Sequence, residues 1–246
     1  MKRKRWASIL AIFLTSQSCF ATAVVILRKG NTIWIAADSL QTNRTGGITR
    51  LACKVMNGGQ FWWAAAGPVY SDPATGFEVS AQVDAVKSKR GAIKSKMNSF
   101  VSNSKPAFVA ELKSIKSRDP IGFAKVMGYH CLIQIAFAGI ERGRATFVWT
   151  CMTAIEADGQ IMISGTPDEA PLKGDPLADM VLLGETTEAA SYIRKHKSEL
   201  NGDPIAVIRQ SIVYQESAEP QMVGGEVSIL ELSSSGAKWV DKGECK

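Results

Sequence analysis

Histidine is nearly missing from this sequence: in 246 residues only His130 and His196 occur, far apart. Cysteine is sparse, five residues, and no Cys or His spacing suggests a metal site, so neither metal nor cofactor is expected. No repeat at solenoid period recurs, and no Pro-rich or low-complexity linker divides the chain. The leading apolar run, Trp6–Leu14, is about half the length a membrane-spanning helix needs. No βαβ alternation is present, which argues against a doubly wound parallel sheet.

What the N-terminus does contain is a basic stretch (MKRKR), that short apolar run, and a polar, small-residue segment (TSQSCFATA) with Cys19 and Ala21 where a signal peptidase reads. Residues 1–21 therefore read as a secretory signal cleaved after Ala21, with cleavage after Ala23 the alternative. The mature chain is expected in a periplasmic or extracellular space, without stable membrane insertion. Removing four basic residues lowers the net charge from +6 to +2, so the basic balance is no nucleic-acid signature. The lysines of 87–117 read as a solvated helix face. The remaining residues, 22–246, suit one domain.

Four cysteines remain, and export permits disulfides. Cys131 and Cys151 flank a hairpin (CLIQIAFAG–IERGR–ATFVWTC) and can meet across it. Cys53–Cys245 is a second candidate bridge, with no register argument behind it.

The pattern begins with a hairpin over Thr22–Asp38, TAVVILRKGNTIWIAAD. A turn centred on Gly30 pairs residues whose numbers sum to sixty, which sets Thr22 opposite Asp38. Residues 48–56 and 60–67 predict a second hairpin around Asn57-Gly58-Gly59. Helical spacing covers about Ser71–Ser104, then Ala107–Ile115 and Ile121–Met127. Strands are expected at His130–Ala138, Ala145–Glu156 and Gln160–Ser164, helices at Thr186–Ser198 and Asp203–Glu216, and a closing strand pair at Glu226–Leu232 and Ala237–Val240. Hairpins interrupted by helices predict an α+β fold.

Thr22, then Ala37-Asp38-Ser39, then Lys54, then Ala66-Gly67 resemble the proteasome β-subunit family of N-terminal-nucleophile (Ntn) hydrolases and its bacterial relatives. Thr22, Asp38 and Lys54 follow one another at intervals of sixteen residues, the family spacing. The resemblance covers most of the mature chain, weakly outside the first hairpins. It implies a four-layer αββα sandwich of two antiparallel sheets between helix layers.

The chemistry it implies is acyl transfer. A threonine hydroxyl is a weak nucleophile until a base removes its proton, and a free α-amine on the same residue can be that base. An α-amine titrates at about 7.7–8.0 when unperturbed, and a nearby Lys54 ammonium disfavours its protonation. Asp38 would hold Lys54 in place. Gly67 resembles the oxyanion donor, a glycine there leaving room for substrate. Ser164, within Ile163-Ser164-Gly165, resembles the serine of the family's Gly-Ser-Gly segment, which supports the nucleophile's amine, with Ile163 in place of the first glycine. Where the family has an Asp, and then a Ser just before Gly-Gly, this chain has Pro220 and then Val223 ahead of Gly224-Gly225; Glu219 is the nearest acid. Gln41, Ala52, Met56 and Ala65 resemble the first specificity pocket, or are alanines and neighbours that pack between strands. Trp62 and Trp63 alternate faces of one strand.

The expected function is that of an exported threonine peptidase or amidase acting on peptide or unfolded-polypeptide substrates. The alternatives are a catalytically inactive proteasome-like scaffold or binding protein, and an Ntn amidase for a small non-peptide amide. The resemblance implies a homo-oligomeric ring.

Overall fold

The computed structural model describes residues 22–42, 48–169 and 179–245. The signal segment and its cleavage site lie outside the described residues. Among these, no helix is long and apolar enough to cross a membrane.

The first hairpin pairs β1 (Ala23–Lys29) with β2 (Thr32–Ala37). Its turn is the two-residue Gly30-Asn31, so paired numbers sum to sixty-one: Lys29 faces Thr32 and Val24 faces Ala37. Gly30, at φ +58°, supplies the left-handed conformation of such a tight turn. The expected register is off by one residue, and Thr22 does not lie opposite Asp38. The backbone of Ala23 meets Asp38 instead.

The polar stretch after Asp38 contains β3 (Leu40–Thr42), which pairs with β4 (Ile48–Leu51). The expected single strand over 48–56 breaks at residues 52–54, and β5 (Val55–Asn57) then pairs with β6 (Trp62–Ala66). Trp63 faces the core, while Trp62 lies half-buried, edge-on to Trp239 with ring centroids 5.7 Å apart. A small hairpin, β7 (Ser71–Asp72) with β8 (Phe77–Glu78), occupies the expected start of the first helix. The helical region is α1 (Val79–Lys87) and one long α2 (Ile93–Arg118), which continues past Pro106 without a break. The buried stripe Met97, Phe100, Val101, Ser104, Phe108, Leu112 and Ile115 explains this: burial of a continuous apolar face outweighs one lost backbone donor. Lys96 departs from the solvated lysine face. It is buried, and its ammonium donates to the carbonyls of Lys87 and Lys89.

Next come α3 (Pro120–Met127), β9 (Ile133–Glu141), β10 (Arg144–Ala157), β11 (Gln160–Ser164), β12 (Asp168–Glu169) and β13 (Met180–Gly184), a strand not expected from the pattern. The chain then forms α4 (Thr187–Lys195), a 3-10 turn at Lys197–Asn201, α5 (Pro204–Ala218), β14 (Ser228–Ser233) and β15 (Gly236–Asp241).

Two sheets dominate, one ordered β13-β1-β2-β14-β15 and the other β11-β10-β9-β6-β5; every ladder among the described residues is antiparallel. The fold is α+β, as the hairpin-and-helix pattern predicts. Three apolar clusters hold it together. In one, Val24, Ile26, Ile33 and Ile35 of the first sheet meet Ala64, Ala66, Ala136, Ala138 and Phe147 of the second, branched side chains against small ones. The opposite face of the second sheet packs against α1–α3 through Phe61, Phe137, Phe100 and Phe108. The opposite face of the first sheet packs against α4 and α5 through Val25, Leu27, Ile193, Ile208 and Ile212.

A buried cation lies between these elements. Arg28 donates to the Asp179 carboxylate at 3.0 Å and to the Ala145 carbonyl at 3.4 Å, with its guanidinium over the Phe147 ring. Both candidate disulfides, Cys131–Cys151 and Cys53–Cys245, are formed. The first does not join ladder partners, because Cys151 faces Gln134 and Cys131 precedes β9. The ligand atoms of His130, Cys131 and Cys151 lie within 4.8 Å of one another, but the two sulfurs are bonded together and offer no thiolate.

Candidate active site

Asp38 sits where β2 ends and the chain turns into β3, and it is 1% exposed. A carboxylate is tolerated there because donors surround it. Oδ1 accepts from the Ala23 N–H at 2.8 Å; Oδ2 accepts from the N–H groups of Leu40 and Gly224, each at 3.2 Å. Lys54 Nζ donates to both oxygens at 2.9 Å and also to the Leu40 carbonyl. Lys54 can reach inward because residues 52–54 leave the strand between β4 and β5. The Ala52 N–H there bonds to the Ser39 carbonyl at 2.8 Å, tying this segment to the residue after Asp38.

Burial acts on both charges. It pushes the Asp38 carboxyl above its ordinary value, opposed by Lys54 and by N–H groups of Ala23 and Gly224. It draws the Lys54 ammonium below the ordinary lysine range, opposed by Asp38. A desolvated ammonium of this kind is the environment that suppresses a second positive charge nearby.

Thr22 leads into β1 and is 8% exposed. Its carbonyl accepts from the Glu185 N–H at 2.8 Å. Gly184 presses on that carbonyl: a Cβ on Gly184 would stand 1.9 Å from the Thr22 oxygen and 3.0 Å from the Ala66 methyl, and its φ is +85°. The Gly184 N–H is in turn held by Gln134 Oε1 at 2.8 Å. Thr22 is thus gripped on both sides, by Asp38 through the next amide and by the Gly184–Glu185 turn through its own carbonyl. Beyond that turn the surroundings are acidic: burial, Glu185 and Glu188 together raise the Glu219 carboxyl.

The structure therefore brings Asp38 and Lys54 together and sets Asp38 against the Thr22–Ala23 peptide, with Lys54 on the same carboxylate. Gly67 follows Ala66 at the end of β6. A Cβ on Gly67 would stand 2.4 Å from the Leu132 carbonyl oxygen, so the neighbouring chain by itself forbids a side chain there.

Ser164 is not part of this group. It ends β11, the opposite edge of the sheet from β5, and its hydroxyl pairs with Thr153 Oγ1 at 2.7 Å. Its immediate surroundings are a shallow recess of about 460 Å³ that includes Trp149, Cys151 and Asp168. Of the expected pocket residues, Ala65 is core, packed in the helix-side cluster with Met56 against its margin. Gln41 instead accepts from Arg50 Nε at 2.7 Å across the β3–β4 hairpin, and Ala52 uses its N–H on Ser39. Glu219 caps the end of α5 among acids, and Val223 is fully buried among apolar residues.

Sequence reasoning missed three contributors: the Gly224 N–H on Asp38, the Leu40 carbonyl on Lys54, and the Gly184–Glu185 turn on Thr22. The last had a visible signal, an apolar pentapeptide (MVLLG) running into Glu-Thr-Thr and a helix.

Comparison with known proteins finds no family model that matches the chain, and no curated protein matches it.

Proposed function

We propose that the chain is an exported, proteasome-like Ntn hydrolase: a threonine peptidase or amidase in which Thr22, freed by signal removal, attacks a peptide or amide carbonyl and forms an acyl-enzyme. The observation that carries this reading is the Lys54 ammonium 2.9 Å from both Asp38 oxygens, with Asp38 Oδ1 2.8 Å from the amide that follows Thr22. In this reading the new α-amine of Thr22 takes the hydroxyl proton as the oxygen attacks. It then passes that proton to the leaving amine, and water releases the acyl group by the reverse sequence. Lys54 keeps the amine unprotonated, and Asp38 holds Lys54. The Gly67 N–H stands as the oxyanion donor. Contact with the nucleophilic residue, assigned to Ser164 by resemblance, passes to the Gly184–Glu185 turn, which already holds the Thr22 carbonyl.

The packing of two sheets against each other with helices on both outer faces supports a four-layer αββα sandwich of the Ntn kind. The two disulfides support a periplasmic or extracellular location. Peptides and unfolded chains are the substrates this predicts, and a homo-oligomeric ring the assembly.

The inactive-scaffold reading has one observation in its favour: Val223, where the family has a serine, offers no hydroxyl and is sealed in the core. The deciding experiment is the mass of the exported protein together with labelling by a β-lactone electrophile. Catalysis requires Thr22 as the first residue and a label that Thr22→Ala abolishes. A first residue of Val24, or hydrolysis persisting in Thr22→Ala, would falsify the reading.

A further inference from the structure

We propose that the Cys53–Cys245 disulfide is a positioning device for Lys54, and that a small dithiol reductant which opens it releases the lysine from Asp38 and lowers the reactivity of Thr22. The second half of this rests on the threonine-hydrolase reading; the first does not.

Lys54 is held inward against a strong preference. Its ammonium is buried, and a rotation of residues 52–54 towards water would restore its hydration. The segment is short and irregular, between β4 and β5, with Leu51 exposed on one side and Asn57 on the other. Cys53 is the residue immediately before Lys54. Its partner Cys245 is buried in a tail folded back on the first sheet: the Cys245 N–H bonds to the Lys242 carbonyl at 2.8 Å, and Ser228 Oγ bonds to that same carbonyl at 2.8 Å. Ser228 is the ladder partner of Ala37, the residue before Asp38. The bridge thus joins the backbone that carries the ammonium to the strand beside the backbone that carries the carboxylate. The Cys131–Cys151 disulfide lies in the other sheet and makes no such link.

The redox step is ordinary exchange. A dithiol thiolate attacks the half-buried Cys53 sulfur, the S–S bond breaks, and Cys245 leaves as a thiolate that takes up a proton. The second thiol of the reductant then displaces Cys53 as a thiol. Two electrons and two protons pass to the protein, and the reductant departs as its cyclic disulfide.

The test uses the mature protein in three forms: untreated, treated with dithiothreitol and then alkylated, and as the Cys53→Ser/Cys245→Ser variant. Mass spectrometry reads acylation of Lys54 by a water-soluble succinimidyl ester. A second assay follows modification of Thr22 by a β-lactone across pH. Among the described residues, the titratable groups around this end of the fold include Asp38, Lys54, Glu185, Glu188, Glu216 and Glu219, together with the new α-amine. Opening the bridge is expected to raise Lys54 acylation about tenfold or more, to lower the Thr22 rate by about tenfold, and to move the midpoint of its pH dependence upward, since the amine no longer faces an ammonium. Cys131→Ser/Cys151→Ser should change none of these. Should Lys54 stay as unreactive with the bridge open as with it closed, the proposal fails. It fails equally if opening the bridge slows Thr22 by the same factor in a Lys54→Ala background. Where the double serine variant does not fold, the reduced and alkylated native protein supplies both readouts. If Thr22→Ala labels like the wild type, the hydrolase reading falls, while the Lys54 acylation assay still judges the clamp.

Discussion

The Lys54 ammonium lies 2.9 Å from each carboxylate oxygen of Asp38, yet the two residues are unequally provided for. Without Lys54, Asp38 still accepts from three backbone N–H groups. Without Asp38, Lys54 loses two acceptors at once. Asp38→Asn is therefore expected to destabilise the fold by about 3–5 kcal/mol, because it strands a buried cation. Lys54→Met should cost less, about 1–3 kcal/mol. Denaturant midpoints of the two variants check the order; Lys54→Met the more damaging would overturn it.

The same pair gives a rate prediction. Lys54→Ala should slow β-lactone modification of Thr22 by about a hundredfold or more while leaving the labelled residue unchanged. An undiminished rate would remove Lys54 from the chemistry.

Gly184→Ala should damage both stability and reactivity. The added methyl meets the Thr22 carbonyl oxygen at 1.9 Å, and its backbone conformation at φ +85° disfavours any side chain. The expected loss is about 3 kcal/mol or more. Differential scanning calorimetry measures the stability, and Thr22 labelling of the surviving folded fraction measures the reactivity.

Alkali should expose Tyr70. Burial, reinforced by the Glu78 carboxylate and opposed by Arg50, pushes its phenol up to about 12. The folded value lies above the unfolded one, so this contribution is complete below about pH 10 and is lost as pH rises from there to about 12. Tyr70→Phe should flatten that limb of the stability curve, by at most about 2–3 kcal/mol. An unchanged slope would place the alkaline sensitivity elsewhere.

Removing the Cys131–Cys151 bridge closes off a different effect. Cys131→Ala/Cys151→Ala should cost about 3 kcal/mol, the figure for a loop near this size, without altering Thr22 labelling. A matching loss of labelling would mean the two ends of the second sheet are coupled.

Much of this fold is legible in the chain because strand and helix periods are strong where one face is buried. Of the residues at helical spacing, Val79, Val83, Val86, Ile93, Met97 and Val101 fall on buried helix faces, divided between α1 and α2, while Phe77 lies in β8. What failed did so for local reasons. The β1–β2 register slipped because two residues, Gly30 and Asn31, make the turn, and hairpin register follows turn length. The helix predicted from Ser71 begins at Val79, since Ser71–Asp72 and Phe77–Glu78 pair as a hairpin. Lys96 looked like one more surface lysine; nothing in its neighbours announces that the end of α1 presents carbonyls to it. At the site, the resemblance implies that Asp38 holds Lys54, and the two side chains do pair. Gly224 was visible only as half of a Gly-Gly pair, since its role arises from a loop contact 186 residues away in sequence. Ser164 was drawn by a local likeness that the strand order does not support.

The Arg28 contacts to Ala145 and Asp179 fix β1 lengthwise as well as sideways. From that anchor to Thr22 the chain is a taut, fully extended rod of six steps, with no loop to absorb an error. With Arg28 held, inserting or deleting one residue between them would turn every side chain from the change back to Thr22 to the opposite face of the sheet. Evolution can lengthen the turns of this molecule, but on that short span its ruler has no slack.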